Sequence, residues 1–334
     1  MTVVVVTGGT SGVGRAACRA FARRGDSVGI LARGRVALDA TRDELEALGA
    51  KVLAIETDVA DERQVEAAAD AVEQALGPID IWVNNAMATV FAEFHEIEPD
   101  EFRRATDVTY LGSVWGTRAA LKRMRPRDRG TIVQIGSALA HRGIPLQAPY
   151  CGAKHATHGF LDSVRTELAH NGSRVRVTIV TLPAINTPQF EHGRTKMPRR
   201  ARPVAPIYEP EVAARAIVAA ADGSRREWWV GAPVAATIIG ARFANGLVDR
   251  YLARTGFDAQ QTPEASTSEP DNLFMPIERD PGAHGRFGHE SLRFSSYTTV
   301  SRHRRLLTAC VLTALAALRR RRRATHGTVA MRRR

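Results

Sequence analysis

The sequence predicts an α/β protein built on a doubly wound parallel sheet. Short apolar runs alternate along the chain with longer stretches of helical apolar spacing, and such alternation implies right-handed crossovers between parallel strands. The first run, residues 3–6 (VVVV), can be buried on both faces, as strands of parallel sheets are. A glycine-rich turn follows it directly.

The hydrophobic periodicity divides the chain into strand and helix candidates in order. β-branched and apolar runs predict strands at residues 3–6, 27–32, 51–56, 79–83, 131–135, 174–182 and 227–230. Apolar residues at helical spacing predict helices at residues 15–24, 61–76, 107–124, 150–170 and 211–221. Strands and helices alternate as far as residue 231, so we expect a single domain over residues 1–231 with a C-terminal extension.

The remaining third of the chain divides by composition. We assign residues 232–258 to a helical extension, because residues 237–252 have helical spacing that suits a cap or an interface. Residues 259–301 form an irregular or disordered segment, since Pro, Gly and charge dominate residues 260–289. Residues 302–334 form an arginine-rich tail.

Composition excludes several classes of protein. The chain has 334 residues, of which 44% are hydrophobic, enough for one large α/β domain with an appendage. Its net charge of +12 comes from the tail, because the first 301 residues carry 36 Lys and Arg against 35 Asp and Glu. A neutral body gives no sign of a nucleic-acid-binding cleft.

The three cysteines, Cys18, Cys151 and Cys310, have no CxxC spacing and indicate free thiols in a reducing compartment. The first apolar run is too short for a secretion signal. We therefore expect a cytoplasmic protein.

The turn after the first strand reads TGGTSGVG and opens a helix. Gly8, Gly12 and Gly14 allow the backbone to approach a pyrophosphate closely, while the helix N-terminus faces its charge. The second strand ends in Ala32-Arg33, where an NAD-selective site usually has an acid. A guanidinium there suits a 2′-phosphate, so NADP(H) is preferred and NAD(H) is the alternative, with Arg35 able to share the role.

Three reactive side chains follow the fifth predicted strand. Tyr150 and Lys154 lie four apart at the start of a predicted helix, so they share a face. A neighbouring cation favours the phenolate and lowers the pKa of a tyrosine. Ser137, at the end of the strand, would reach the same crevice, because ligands of such sheets bind beyond the strand carboxyl ends. Tyr150 is thus an acid/base candidate, with Ser137 holding a substrate oxygen.

Polar residues also follow two other strands. Asp58 is either a site residue or the N-cap of the next helix. Asn85 either lines the cofactor or braces the turn. A long Pro- and Arg-rich stretch, residues 194–210, suits a substrate lid. The cations of this stretch would either bind an acidic substrate or form a surface exposed to solvent. They are Arg194, Lys196, Arg199, Arg200 and Arg202.

Together these motifs resemble the classical short-chain dehydrogenase/reductase family over roughly residues 1–231. TGGTSGVG, the NNA at residues 84–86, Ser137 and the Tyr150-x-x-x-Lys154 pair occur in the family's order and separations. The resemblance implies a Rossmann fold and an oxidoreductase. It also implies these cofactor contacts: Gly8, Thr10, Ser11, Gly12, Val13, Gly14, Arg33, Asp58, Val59, Asn85, Ala86, Tyr150, Lys154, Pro183, Ile185 and Thr187.

By the same resemblance, Asp58 and Val59 would meet the adenine and residues 183–187 the nicotinamide. Lys154 would hold the nicotinamide ribose. Three positions depart from the family pattern. Thr109 occupies a position where the family commonly has an Asn. Its hydroxyl would take part in a proton relay through water to Lys154. Met87 and Ala184 stand where glycine is usual and would narrow the pocket.

The sequence therefore predicts an NADP(H)-dependent oxidoreductase that interconverts a secondary alcohol and a ketone, with Ser137, Tyr150, Lys154 and Thr109 as catalytic residues. No metal site is predicted. The alternative is a slow nucleotide-binding sensor or scaffold recruited to membrane by its tail. We expect a small carbonyl or alcohol substrate, a homo-oligomer and no nucleic-acid partner.

The tail contains an apolar run, residues 306–318, between arginine clusters. A helix of that length spans on the order of 20 Å, less than the roughly 30 Å of a bilayer core. We expect either a peripheral membrane contact through residues 302–334, with an interfacial helix, or a disordered basic tail.

Overall fold

The structure is a computed structural model that describes residues 1–266 and 270–302. Its strands are β1 (Val3–Thr7), β2 (Ser27–Ala32), β3 (Val52–Glu56), β4 (Ile79–Asn84), β5 (Val90–Phe91), β6 (Thr131–Ser137), β7 (Arg176–Leu182), β8 (Arg194–Thr195), β9 (Arg199–Ala201), β10 (Ile207–Tyr208), β11 (Glu227–Trp229), β12 (Gln261–Ala265) and β13 (Ser291–Leu292). Its α-helices are α1 (Gly12–Arg23), α2 (Arg35–Ala47), α3 (Glu62–Leu76), α4 (Pro99–Thr106), α5 (Gly112–Met124), α6 (Ala148–His170), α7 (Gln189–His192), α8 (Pro210–Asp222), α9 (Ala232–Phe243), α10 (Asn245–Thr255) and α11 (Ser296–Arg302).

The predicted fold class is confirmed. Seven parallel strands form one sheet in the order β3-β2-β1-β4-β6-β7-β11. The chain leaves β1 toward β2 and β3 on one side and returns to β4 on the other, so the order reverses between β1 and β4. In open α/β sheets the ligand crevice lies at this reversal, beyond the strand carboxyl ends.

Two apolar layers cover the sheet because successive side chains of a strand alternate between its faces. On β1, Val4 and Val6 belong to a core that includes Phe21 of α1. Val3 and Val5 belong to the opposite core, together with Leu161 of α6. The VVVV run is therefore buried on both faces, as predicted.

The helix predicted at residues 107–124 differs from the observed one. A separate helix, α4, precedes it, and Asp107–Leu111 form a π-helical turn before α5 begins. The helix predicted at residues 237–252 is likewise two helices, α9 and α10, because the backbone of Ala244, with φ −141° and ψ 36°, is not helical. Element boundaries elsewhere shift by one to three residues, and β6 extends to include Ser137.

The C-terminal extension is closely joined to the sheet domain. Residues 270–288, which we call the strap, have no regular secondary structure, and residues 260–289 were expected to be irregular or disordered. Disorder was the wrong expectation for the strap, because the side chains of Leu273, Ala283 and Phe287 are buried. Ala283 packs with Ala16 of α1 and Ala214 of α8.

Residues 1–295 form one compact unit, and a second begins at Ser296, of which the structure describes α11. None of the described helices has the length and apolar character needed to cross a membrane. The predicted apolar helix at residues 306–318 and its membrane contact lie outside the described residues. Cys18 and Cys151 are free thiols, as expected.

Candidate active site

The glycine turn joins the end of β1 to the N-terminus of α1. Gly12 has a φ of +53°, which residues with a side chain rarely adopt. A Cβ on Gly14 would lie 2.2 Å from the carbonyl oxygen of Gly8, so only glycine fits. The result is a backbone cradle at a helix N-terminus, the kind of place in which a pyrophosphate binds. The turn therefore fits the dinucleotide predicted from the sequence.

Asn85 braces this turn. Its Nδ2 donates hydrogen bonds of 3.0 Å to the carbonyl oxygens of Thr7 and Gly8. The Thr7 hydroxyl in turn accepts from the backbone N–H groups of Asn85 and Ala86. Of the two roles left open for Asn85, the structure supplies bracing directly, and the residue also lines the crevice.

A crevice of about 670 Å³ extends along the carboxyl ends of the central strands. Every residue expected to contact the cofactor lines this crevice except Gly14. Gly14 instead packs against Gly8 and Asn85. Met87 and Ala184 line it as well. One continuous space thus connects the glycine turn to the three reactive side chains.

Ser137, Tyr150 and Lys154 meet on one wall of this crevice. Ser137 is the last residue of β6, and its Oγ accepts a 3.1 Å hydrogen bond from the N–H of Leu139. Tyr150, in the first turn of α6, forms a side-chain hydrogen bond with Ser137. Lys154 is buried one turn later, and its Nζ lies 5.4 Å from the centre of the Tyr150 ring. The predicted grouping of the three residues is therefore present in the structure.

Burial controls the protonation of this group. It raises the pKa of Tyr150 to about 12, although the hydrogen bond with Ser137 acts in the opposite direction. It also lowers the pKa of Lys154 to about 8. The Lys154 ammonium is held by the carbonyl oxygen of Ile135, 2.8 Å away. The net shift of the Tyr150 pKa is therefore upward, because burial of the phenol penalises the phenolate.

Thr109 does not face the crevice. It lies fully buried in the π-helical turn, where its hydroxyl donates to the carbonyl oxygen of Ala88 and accepts from the N–H of Ala88, both at 2.9 Å. Both hydrogen bonds of the hydroxyl are made to this one residue. The expected relay through the Thr109 side chain is therefore wrong, and the hydroxyl instead fixes the segment that follows Asn85.

Arg33 lines the crevice beyond the end of β2, at the end predicted to hold the adenosine. Its guanidinium donates to strap carbonyl oxygens, at 3.3 Å to Leu273 and 3.0 Å to Phe274, and also to Asn272. Burial and the neighbouring Arg104 guanidinium lower the pKa of Arg33. Arg35, the other candidate, is exposed and pairs with Asp39 on α2, away from the crevice.

Asp58 is not the N-cap of α3. That position belongs to Asp61, whose side chain accepts from two N–H groups of the first turn. Asp58 instead lines the crevice, and its Oδ2 pairs with Arg104 at 2.6 Å. Its carboxylate therefore faces the crevice, and its contact with the adenine stays a prediction.

The cations of residues 194–210 face acidic partners. Arg194 and Lys196 pair with Glu101, Arg199 with Asp258, Arg200 with Glu264, and Arg202 with Glu290. Because each charge already has a counter-charge, these residues do not form a free anion site.

The end of the crevice away from the adenosine side is largely apolar. Helices α9 and α10, beyond the sheet, supply much of its wall. Its apolar lining includes Ile144, Val204, Pro233, Ala236, Val248 and Leu252. Sequence reasoning assigned α9 and α10 to a cap or an interface, because helical spacing alone does not show which cavity a helix covers.

Sequence reasoning also missed the strap. Asn272, Pro276, Ile277, Arg279 and Pro281 line the crevice. These residues follow no hydrophobic periodicity. Arg33 and Asn272, which form a hydrogen bond, are 239 positions apart in the sequence, so no local pattern links them. Only the local composition, rich in Pro and Gly, set this segment apart.

Among the described residues, a histidine and acid group outside the crevice has the residue types of a metal site. Ligand-type atoms of His141, His158 and Glu227 lie within 4.8 Å of one another. Burial opposes ionisation of Glu227, but hydrogen bonds from His141, Thr181 and Trp229 lower its pKa to about 2. A 3.2 Å hydrogen bond joins His141 to Glu227, and the ring of His158 packs edge-to-face on that of His141.

Known proteins share these features. Residues 2–198 match the family model described as short chain dehydrogenase. The chain is 32% identical over 321 residues to the uncharacterized oxidoreductase YxnA of Bacillus subtilis, covering 94% of this chain and 89% of that protein. It is 31% identical to 3-dehydrosphinganine reductase of Danio rerio, covering 64% of this chain and 67% of that protein.

A solved structure has the same fold. The alcohol dehydrogenase from the archaeon Thermococcus sibiricus complexed with 5-hydroxy-NADP matches with a TM-score of 0.60 at 26% identity, covering 69% of this chain and 95% of that chain. The alignment with YxnA, which takes in nearly the whole chain, also includes the strap.

Proposed function

This chain belongs to the short-chain dehydrogenase/reductase family and is an oxidoreductase acting on CH–OH groups, and from that premise we propose that it interconverts a secondary alcohol and a ketone with NADP(H) in preference to NAD(H). The observation that carries the proposal is the convergence of Ser137, Tyr150 and Lys154 on a crevice that begins at the glycine turn.

Tyr150 is the proton donor to the carbonyl oxygen during reduction. Its raised pKa, about 12, keeps the phenol protonated at neutral pH, the form that can donate a proton. The Ser137 Oγ accepts from the Leu139 N–H, and its proton, which bonds Tyr150 in the free protein, would turn to the carbonyl oxygen of a bound substrate. When bound, the nicotinamide supplies the hydride to the carbonyl carbon or takes it from the carbinol carbon.

Lys154 has two roles in this proposal. Its ammonium, fixed by the Ile135 carbonyl, would hold the nicotinamide ribose. It would also stabilise the negative charge that develops on the Tyr150 oxygen as the proton leaves. Its pKa of about 8 means that the ammonium form predominates at neutral pH. Reduction is therefore supported in the pH range in which both groups are protonated.

The NADP(H) preference is supported by charge at the adenosine end. The hydrogen-bond partners of Arg33 are carbonyl oxygens, so within the described residues no salt bridge neutralises it. Arg104 lies beside it with Asp58 as its single counter-charge in the described part of the chain. Excess positive charge suits a 2′-phosphate. The structural neighbour complexed with 5-hydroxy-NADP agrees with this preference.

The substrate class is an apolar ketone or alcohol. The apolar wall of α9 and α10 favours hydrocarbon substituents, because burying each methylene contributes about 0.8 kcal/mol. The paired cations of residues 194–210 argue against an acidic substrate. The relative 3-dehydrosphinganine reductase is named for a long-chain ketone, which is consistent with this class.

The test compares wild-type protein with Tyr150→Phe on 2-ketones of increasing chain length, following consumption of NADPH. We expect Tyr150→Phe to lower turnover by about 10²–10⁴-fold, the usual contribution of a proton-transfer group, with nucleotide affinity nearly unchanged. Tyr110→Phe, at a tyrosine that packs on Phe160, is the matched control. Substantial turnover by Tyr150→Phe would contradict the assigned role.

A further inference from the structure

The strap crosses the mouth of the nucleotide crevice and is anchored at both ends. At the adenosine end, Arg33 binds the carbonyl oxygens of residues 272–274. Arg104 adds a 3.1 Å hydrogen bond to the carbonyl oxygen of Leu273. A Cβ on Gly34 would lie 3.4 Å from the carbonyl oxygen of Ile277, so the strap continues against the end of β2.

At the other end the strap meets the glycine turn. The N–H of Gly12 donates a 3.1 Å hydrogen bond to the carbonyl oxygen of Gly282. Further along, the N–H of Phe287 donates to the side chain of Asn186 at 3.0 Å. Residues 275–281 therefore span the distance from the adenosine end to the pyrophosphate cradle.

Within that span, the two neighbouring charged residues Arg279 and Asp280 differ in their surroundings. Asp280 pairs with Arg15, which is buried in α1 and also binds Glu44 at 2.8 Å. Arg279 lines the crevice and has no hydrogen-bond or ion-pair partner among residues 1–266 and 270–302. One carboxylate thus fixes the strap, and the adjacent guanidinium remains without a counter-charge.

Arg279 lies near the pyrophosphate side. Arg279 and His192 of α7 line the same crevice, and burial and the charge of Arg279 lower the pKa of His192 to about 4. That helix follows Thr187, whose Cγ2 is 3.0 Å from the Cβ position of Gly12. The unpaired cation and the backbone cradle therefore face the same part of the crevice.

We propose that Arg279, supplied by the strap, binds a phosphate of the dinucleotide. The proposal rests on the dinucleotide site of the proposed function, and it adds a ligand from outside residues 2–198, the part that matches the family model. A guanidinium binds phosphate oxygens through charge-assisted hydrogen bonds, often two at once. Both the pyrophosphate and the 2′-phosphate offer this chemistry.

The test measures dissociation constants of NADPH and NADH by titration calorimetry, without substrate. We expect Arg279→Gln to weaken binding of NADPH by about 10- to 100-fold, the usual effect of losing a hydrogen bond to a charged group. Arg279→Lys should recover part of that loss. Arg293→Gln, an exposed arginine of the same extension outside the crevice, is the matched control and should bind like wild type. Thermal unfolding of each variant checks that it is folded.

Equal weakening of NADPH and NADH assigns Arg279 to the pyrophosphate, and weakening of NADPH alone assigns it to the 2′-phosphate. Unchanged affinity for both nucleotides in a folded Arg279→Gln protein would overturn the inference and leave the proposed function intact. If the wild-type protein binds neither nucleotide, the proposed function and this inference fail together.

Discussion

Thr109→Val tests whether the Thr109 hydroxyl is a structural brace or part of a proton relay. Valine keeps the shape of threonine but removes both hydrogen bonds with Ala88. Ala88 is only 4% exposed, so water cannot replace them. An unsatisfied buried polar group costs about 1–3 kcal/mol. With two such groups, we expect the free energy of unfolding to fall by about 2–6 kcal/mol.

The measurement is urea unfolding together with thermal melting, in which Thr109→Val should lower Tm by roughly 5–10 °C. Thr109→Ser is the matched control, because it keeps the hydroxyl and loses only a methyl group, worth about 0.8 kcal/mol. We expect turnover to follow stability in both variants. A Thr109→Val protein with wild-type stability and clearly slower turnover would refute the brace and restore the relay.

Two further predictions concern the cofactor and the pH dependence. Arg33→Ala should raise the NADPH dissociation constant about tenfold or more and that of NADH less, because NADPH also loses a charge-assisted contact. Arg35→Ala is the control. Equal effects of Arg33→Ala on both nucleotides would contradict the 2′-phosphate role. Turnover in reduction should be flat below pH 8 and fall as pH rises through about 8, where Lys154 loses its proton. Lys154→Arg should remove this step in a rate profile, and a wild-type profile flat to pH 10 would contradict it.

The sheet and the reactive residues could be predicted because their signals are local. A buried parallel strand shows an apolar run, as β1 does, and Tyr150 and Lys154 are one helical turn apart. The protonation of Tyr150 could not be read in this way, because it depends on how far the surrounding chain desolvates the phenol. The hydroxyl of Thr109 found its partner in Ala88, and no spacing rule identifies a contact between a helix and a loop.

The cations of residues 194–210 illustrate the same limit. Their clustering in sequence favoured an anion site or a solvated face. The structure pairs Arg199 with Asp258 and Arg202 with Glu290, acids that come much later in the chain. Such pairs depend on the tertiary arrangement of the extension, for which the sequence has no periodic signal.

The position of the strap along the chain has a consequence for biosynthesis. Domains form during translation from the N-terminal side, so the sheet and the glycine turn leave the ribosome before the carbonyl groups that Arg33 binds 239 positions later. The nascent protein therefore passes through a stage in which the crevice is open along one side. The contacts of Arg33 with residues 272–274 therefore form after the sheet, and local opening of the strap, governed by the stability of that segment, would break them without unfolding the sheet.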